Sequence, residues 1–312
     1  MKTSSSQSEK NRLQTAHIIL LVTFGLYLLY ERFAQYLPFY EYKYPLLLVS
    51  QFLFILPGML ILRLTGRDWA KEIRFTMPEG RNVMLGLTAM ICAYPLIAVL
   101  NLLSQIFVVN QVTPVVEYML QFGLGPSIFL LALMPAFAEE FLCRGILYWF
   151  GYRGISKIEG VLLSALVFAL MHMNLNQFFY AFFLGIVFAL MVEASDSILV
   201  SMIMHFAVNA FNVFATYMAG ASIQPEQETD ALALLTEGLS SPLYVILSVC
   251  GLAAVAGMLI LIIYRAFKIN GRTLRTETAD TGPQDKRHPA DLFLLVYIVA
   301  AVILTIQGTV FR

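Results

Sequence analysis

The stretch "PAFAEEFLCRGIL", Pro135 to Leu147, sets three ionisable side chains, Glu139, Glu140 and Arg144, inside a long apolar run. A charged residue at the centre of a membrane span costs about 2.5–3.5 kcal/mol on the insertion scale, so the three together cost about 8–10 kcal/mol before any pairing. Something must offset that cost. Helical spacing names one pair: Glu140 and Arg144 stand at i and i+4, in the favourable order, and face each other. Glu139 lies about 100° round the helix, with no partner close in sequence. Pro135, one turn earlier, leaves the carbonyl of Leu131 without its helical donor, and a bend is expected there.

The rest of the chain makes a membrane the setting. Of 312 residues, 59% are hydrophobic and 13% charged, which no soluble domain of this size shows. The composition predicts an all-α fold, a polytopic membrane helix bundle of about nine transmembrane helices. The candidate spans are 16–38, 44–65, 82–108, 126–150, 158–174, 176–194, 196–217, 241–265 and 290–311. Very short connections make the fifth, sixth and seventh antiparallel neighbours. The first run lacks a small-residue cleavage site and reads as a retained span rather than a removed signal. The chain divides into 1–120, N-terminal spans with a basic loop; 121–220, a core that carries the polar motifs; and 221–312, an acidic loop and two last spans.

Charge distribution orients the bundle. Formal net charge is zero, so nothing draws the chain to nucleic acid. Sixteen Lys and Arg fall on one side of the nine spans and three on the other. That asymmetry predicts a cytoplasmic N-terminus in an integral protein of the plasma membrane. The segment Thr65 to Arg81 interleaves bases with Trp69, Ile73 and Phe75, and two readings are open: a surface-lying segment on anionic lipid or an ordinary basic loop. Ser222 to Ser241 holds four acidic residues and no basic one, as suits an outer loop. Asn270 to Pro289 reads as a flexible linker. Cys92, Cys143 and Cys250 lie far apart in apolar runs and point to neither disulfides nor a thiolate metal site.

Two further spans carry polar groups: "FALMH", Phe168 to His172, and "HFAVN", His205 to Asn209. Counted from the basic ends of their spans, Glu139, His172, His205 and Asn209 all fall at a depth of about 14–21 Å in a core of about 30 Å. Chance placement would scatter them. A carboxylate beside an imidazole can activate water as a general base, and a second imidazole with an amide can stabilise an oxyanion. The same Glu139, His172 and His205 could instead be three ligands of a zinc site with one open position. Zinc is therefore possible, though no cofactor is favoured. No HExxH motif occurs, and no Asp lies within a span interior. Non-catalytic readings remain: a membrane scaffold that keeps the cluster for packing or partner binding, or a proton-coupled transporter. Phe168 reads as packing, and Glu140 with Arg144 as a supporting ion pair.

The motifs EExxxR (Glu139, Glu140, Arg144), FxxxH (Phe168, His172) and HxxxN (His205, Asn209) occur in order on the fourth, fifth and seventh spans. In this the sequence resembles the CAAX-protease and bacteriocin-processing group of intramembrane endopeptidases (CPBP, also ABI), over roughly 125–215. The resemblance implies a helical membrane endopeptidase that acts on a membrane-associated peptide or protein, such as a CAAX-like tail or a peptide precursor. It implies that Glu139 and His172 activate water and that His205 and Asn209 hold the oxyanion. The group is often catalogued as metalloproteases, and a metal-free glutamate mechanism is also proposed for it. Some of its members are tied to bacteriocin immunity.

Overall fold

A computed structural model describes residues 2–38, 43–152, 155–222, 241–274 and 291–310, and among these every regular element is a helix. The helices are α1 (Lys2–Phe33), α2 (Lys43–Leu64), α3 (Trp69–Glu72), α4 (Gly80–Gln105), α5 (Val112–Leu120), α6 (Leu124–Gly151), α7 (Lys157–Leu170), α8 (Leu175–Ser195), α9 (Ile198–Ser222), α10 (Pro242–Ile269) and α11 (Leu292–Val310). The polytopic helical bundle expected from composition is what forms.

The number of full spans differs from nine. Among the described residues, seven helices are long and apolar enough to cross a membrane: α1, α2, α4, α6, α8, α9 and α10. The run 158–174 shrinks to α7, 14 residues, which reaches only about 20 Å against a core of about 30 Å. It stops because Met173 takes a left-handed φ of 47° and Asn174 starts the next helix, its Oδ1 accepting from the backbone N–H of Asn176 and Gln177. The turn Met171–Asn174 is half apolar, so hydropathy ran straight through it. The last run, over Leu292–Gln307, is apolar but shorter than the seven.

At the centre stands α6. Every residue from Phe141 to Gly151 is buried, as expected for a helix that is apolar all round. It is wrapped by α1, α2, α7 and α9. The antiparallel trio α7, α8 and α9 packs as the short connections require. Close approach of α7 and α8 depends on Gly185: a Cβ there would lie 2.8 Å from Ala165 Cα, the small-residue contact on which membrane helices pack.

The ends that carry the basic residues gather at one end of the bundle. Arg12 and Arg67 both pair with Glu72, at 2.6 and 3.1 Å. Arg74 and Arg272 share Asp196, at 3.3 and 2.5 Å. Lys157 reaches Glu193 at 2.7 Å, and His17 of α1 meets Asp291 at 2.8 Å. The segment Thr65–Arg81 is neither a surface-lying helix nor a loose loop. Asp68 caps the one-turn α3, and the segment folds back under α6. Ile73 is fully buried, Trp69 packs on Phe141, and Phe75 packs on Phe137. The acidic stretch Ser222–Ser241, apart from its two end residues, and most of the linker Asn270–Pro289 lie outside the described residues.

Candidate active site

The proline of the opening stretch shapes the first wall. Pro135 has no N–H for the carbonyl of Leu131, and the backbone just before it widens into a π-helical turn, Phe129–Leu133. The freed carbonyl finds a donor on another helix: Asn209 Nδ2 of α9 donates to Leu131 O at 3.3 Å. Asn209 is thereby fixed at the cavity wall.

One turn on, the two glutamates part company. Glu140 and Arg144 are fully buried and joined by an Nη1···Oε1 bond of 2.8 Å. Arg144 also donates from Nη2 to the carbonyl of Gly185 at 3.1 Å, and its guanidinium lies 4.2 Å over the ring of Phe168. The pair expected from i, i+4 spacing is therefore formed. Its further reach was not foreseen: Glu140 Oε1 also accepts from His205 Nδ1 at 3.1 Å. Glu140 thus orients the second imidazole as well as neutralising Arg144.

Glu139 points the other way, toward both histidines. Its Oε2 stands 3.9 Å from His172 Nε2 and 3.9 Å from His205 Nε2. That is too long for a direct hydrogen bond and short enough for one water to bridge. His172 does not sit within a span, as the sequence suggested, but in the turn that ends α7. Its Nδ1 is 2.8 Å from Phe168 O. A carbonyl can only accept, so Nδ1 carries a hydrogen, and Nε2, which faces Glu139, is the acceptor of the neutral ring. Irregular backbone at membrane depth is tolerated where it is buried in protein or lines a cavity, and here it does the latter.

Phe168 is more than packing. Its ring meets His172 edge-on at 5.2 Å and His205 at 5.6 Å, with Arg144 stacked on its face. Phe188 of α8 stacks on His205 at 5.3 Å. Sequence reasoning missed Phe188, which no motif singles out. It also missed Asn174, Asn176, Asn101 and Ser104, which tie the His172 turn to α4: Asn176 Nδ2 donates to Asn101 Oδ1 at 3.0 Å and to Ser104 Oγ at 2.8 Å. Four amide or hydroxyl side chains in apolar surroundings were the available signal.

Glu139, Phe168, His172, His205 and Asn209 all line one cavity of about 500 Å³. All four expected reactive side chains are therefore brought together, and the three supporting ones lie in or directly behind that wall. As zinc ligands, Glu139, His172 and His205 do not fit. Tetrahedral donors at about 2.0–2.1 Å from zinc stand about 3.4 Å apart, whereas the carboxylate oxygen stands 3.9 Å from each ring nitrogen. No group of three metal-binding side chains is set for an ion among the described residues.

With this geometry in place, the motif order has a counterpart among known proteins. One match to a family model falls on residues 121–211. The model is described as type II CAAX prenyl endopeptidase Rce1-like, a family of proteases. The Rce1-like segment includes α6, α7, α8 and the part of α9 that carries His205 and Asn209, and it agrees with the CPBP resemblance carried by the three motifs. It covers less than a third of the chain; α1 to α4, α10 and α11 lie outside it. No curated protein and no solved structure matches the chain.

Proposed function

We propose that this protein is an intramembrane endopeptidase that hydrolyses a peptide bond of a membrane-associated substrate through a water activated by Glu139 and His172. One observation carries the reading: a carboxylate oxygen and an acceptor imidazole nitrogen converge, 3.9 Å apart, at the wall of a cavity within the bundle. A water between them gives one hydrogen to each, and its lone pair is left for the scissile carbonyl. Attack forms the C–O bond as the proton passes to Glu139. The oxyanion then meets an N–H of Asn209 and, in its charged form, the Nε2–H of His205. Collapse breaks the C–N bond, and Glu139 returns the proton to the leaving amine. The chemistry is carried by side chains alone.

The positive-inside rule puts the basic end in the cytoplasm of a cell membrane, and with it the N-terminus. The resemblance raises two substrate classes, a CAAX-like tail and a peptide precursor, and the side on which the cavity opens chooses between them. The test is peptide release by purified protein in detergent. Glu139→Gln keeps shape and a hydrogen-bonding group but removes the base, so turnover is expected to fall by about 10² or more at unchanged thermal stability. Cleavage by the wild type is expected to persist in chelator. Turnover by Glu139→Gln equal to wild type would remove the reading.

A further inference from the structure

The cavity and the basic residues lie at opposite ends of the bundle. Arg12, Arg67, Arg74, Lys157 and Arg272 are gathered at one end. Beneath them the site is closed by successive layers. Ile73 sits so close under α6 that a Cβ on Gly145 would lie 2.9 Å from its Cβ. Trp69 and Phe75 cover Phe141 and Phe137, and the Glu140–Arg144 pair admits no solvent.

The cavity extends the other way. From Glu139 and His205 its wall continues to Asn212 on α9, Asn101 and Gln105 on α4, and Gln111 and Thr113 at the start of α5. Helix α4 leaves the basic end at Gly80 and, over 26 residues, runs about 38 Å, so Gln105 and α5 stand at the far end. Helix α9 leaves the basic end at Ile198, beside Asp196, and passes His205 before Asn212. The route from the catalytic cluster therefore leads away from every clustered base. Among the described residues its wall holds no Lys or Arg, and Glu139 is its one carboxylate. Amide side chains recur along it, and each offers both a donor and an acceptor to a peptide backbone.

We infer that the cavity takes its substrate from the extracytoplasmic side, as an uncharged, extended stretch of an exported polypeptide held at the membrane, and not from a cytoplasmic tail. The inference rests on the endopeptidase reading for what happens inside the cavity and on charge distribution for which side is which. Amides pair with main-chain groups in turn, and the apolar positions between them receive side chains. Along the described wall a charged segment would meet no charged group other than Glu139.

The experiment is cysteine accessibility in intact cells that express the full chain. Cys92 and Cys250 are replaced by Ser and Cys143 by Ala, and single Gln111→Cys, Asn212→Cys and Lys71→Cys variants are exposed to a membrane-impermeant maleimide. Lys71 is strongly exposed at the basic end. Gln111→Cys and Asn212→Cys are expected to label in intact cells as fully as after permeabilisation, and Lys71→Cys only after it. Labelling of Gln111→Cys only after permeabilisation, or of Lys71→Cys before it, overturns the inference. The same labelling in a Glu139→Gln background separates the two claims. If access is as expected but no released peptide depends on Glu139, the endopeptidase reading fails while the sidedness of the cavity stands. Peptides that do depend on Glu139 are expected to come from exported segments, and a set derived only from cytoplasmic tails overturns the substrate assignment.

Discussion

Adjacent glutamates on one helix here do different work, because 100° of rotation gives them different neighbours. Glu140 faces the protein interior and serves Arg144 and His205 through a single oxygen. Removing its charge leaves a guanidinium uncompensated in a dry layer and loosens the imidazole that flanks Glu139. Glu140→Gln is therefore expected to lower stability by about 3 kcal/mol and to lower turnover as well, whereas Glu139→Gln lowers turnover alone. Pairing Glu140→Gln with Arg144→Met removes the stranded cation. Thermal stability is expected to recover in part while turnover stays low, because the carboxylate that orients the His205 ring is gone. Melting curves and turnover for the single and double variants in one detergent check this. A double variant that regains both would show that Glu140 acts only as a counter-ion.

Among the elements, a proline and a neighbouring amide form one device. Pro135 withdraws a helical hydrogen bond from Leu131, and Asn209 replaces it from α9. A helix break that would ordinarily weaken α6 instead fixes a side chain of the cavity wall. Pro135→Ala would return an N–H to Leu131 O and compete with Asn209 for it. We expect that variant to melt no lower than wild type, since proline in a helix interior costs about 3 kcal/mol, yet to turn over several-fold more slowly. Equal turnover would mean that Asn209 does not depend on the bend. The short α7 belongs to the same logic. It ends early so that His172 can leave the helix and point its ring at Glu139, and Asn176 pins the turn to α4.

For the whole molecule, the catalytic segment is held from outside. Helix α11, beyond the Rce1-like match, buries Tyr297 completely; its hydroxyl donates to Val167 O at 3.1 Å, and its ring packs edge-on against Phe24 at 4.9 Å. One side chain thus ties α1 and α11 to α7, one residue before Phe168. Tyr297→Phe leaves that carbonyl without its donor and is expected to cost about 1 kcal/mol. Tyr297→Ala opens a cavity as well and is expected to cost about 3 kcal/mol or more. Thermal unfolding in detergent measures both, and equal melting temperatures for the two variants and wild type would show that α11 does not brace the core.

What the sequence by itself determined was the class of fold and the membership of the site. Apolar length and charge sorting follow from composition, and i, i+4 spacing within one helix is set by helical geometry whatever surrounds it. Hence the Glu140–Arg144 pair was readable, and so was the meeting of Glu139, His172, His205 and Asn209 at one cavity. What only the tertiary structure decided was contact between helices. Hydropathy sums over a window, so it could not see that a left-handed Met173 ends α7 inside the apolar run. Spacing along one helix could not show that Glu140 also takes His205, that Asn209 answers the carbonyl freed by Pro135, or that Thr65–Arg81 closes the basic end. Each of these depends on which faces meet, and that is fixed by packing around the buried half of α6, where fit between side chains far apart in sequence selects the arrangement.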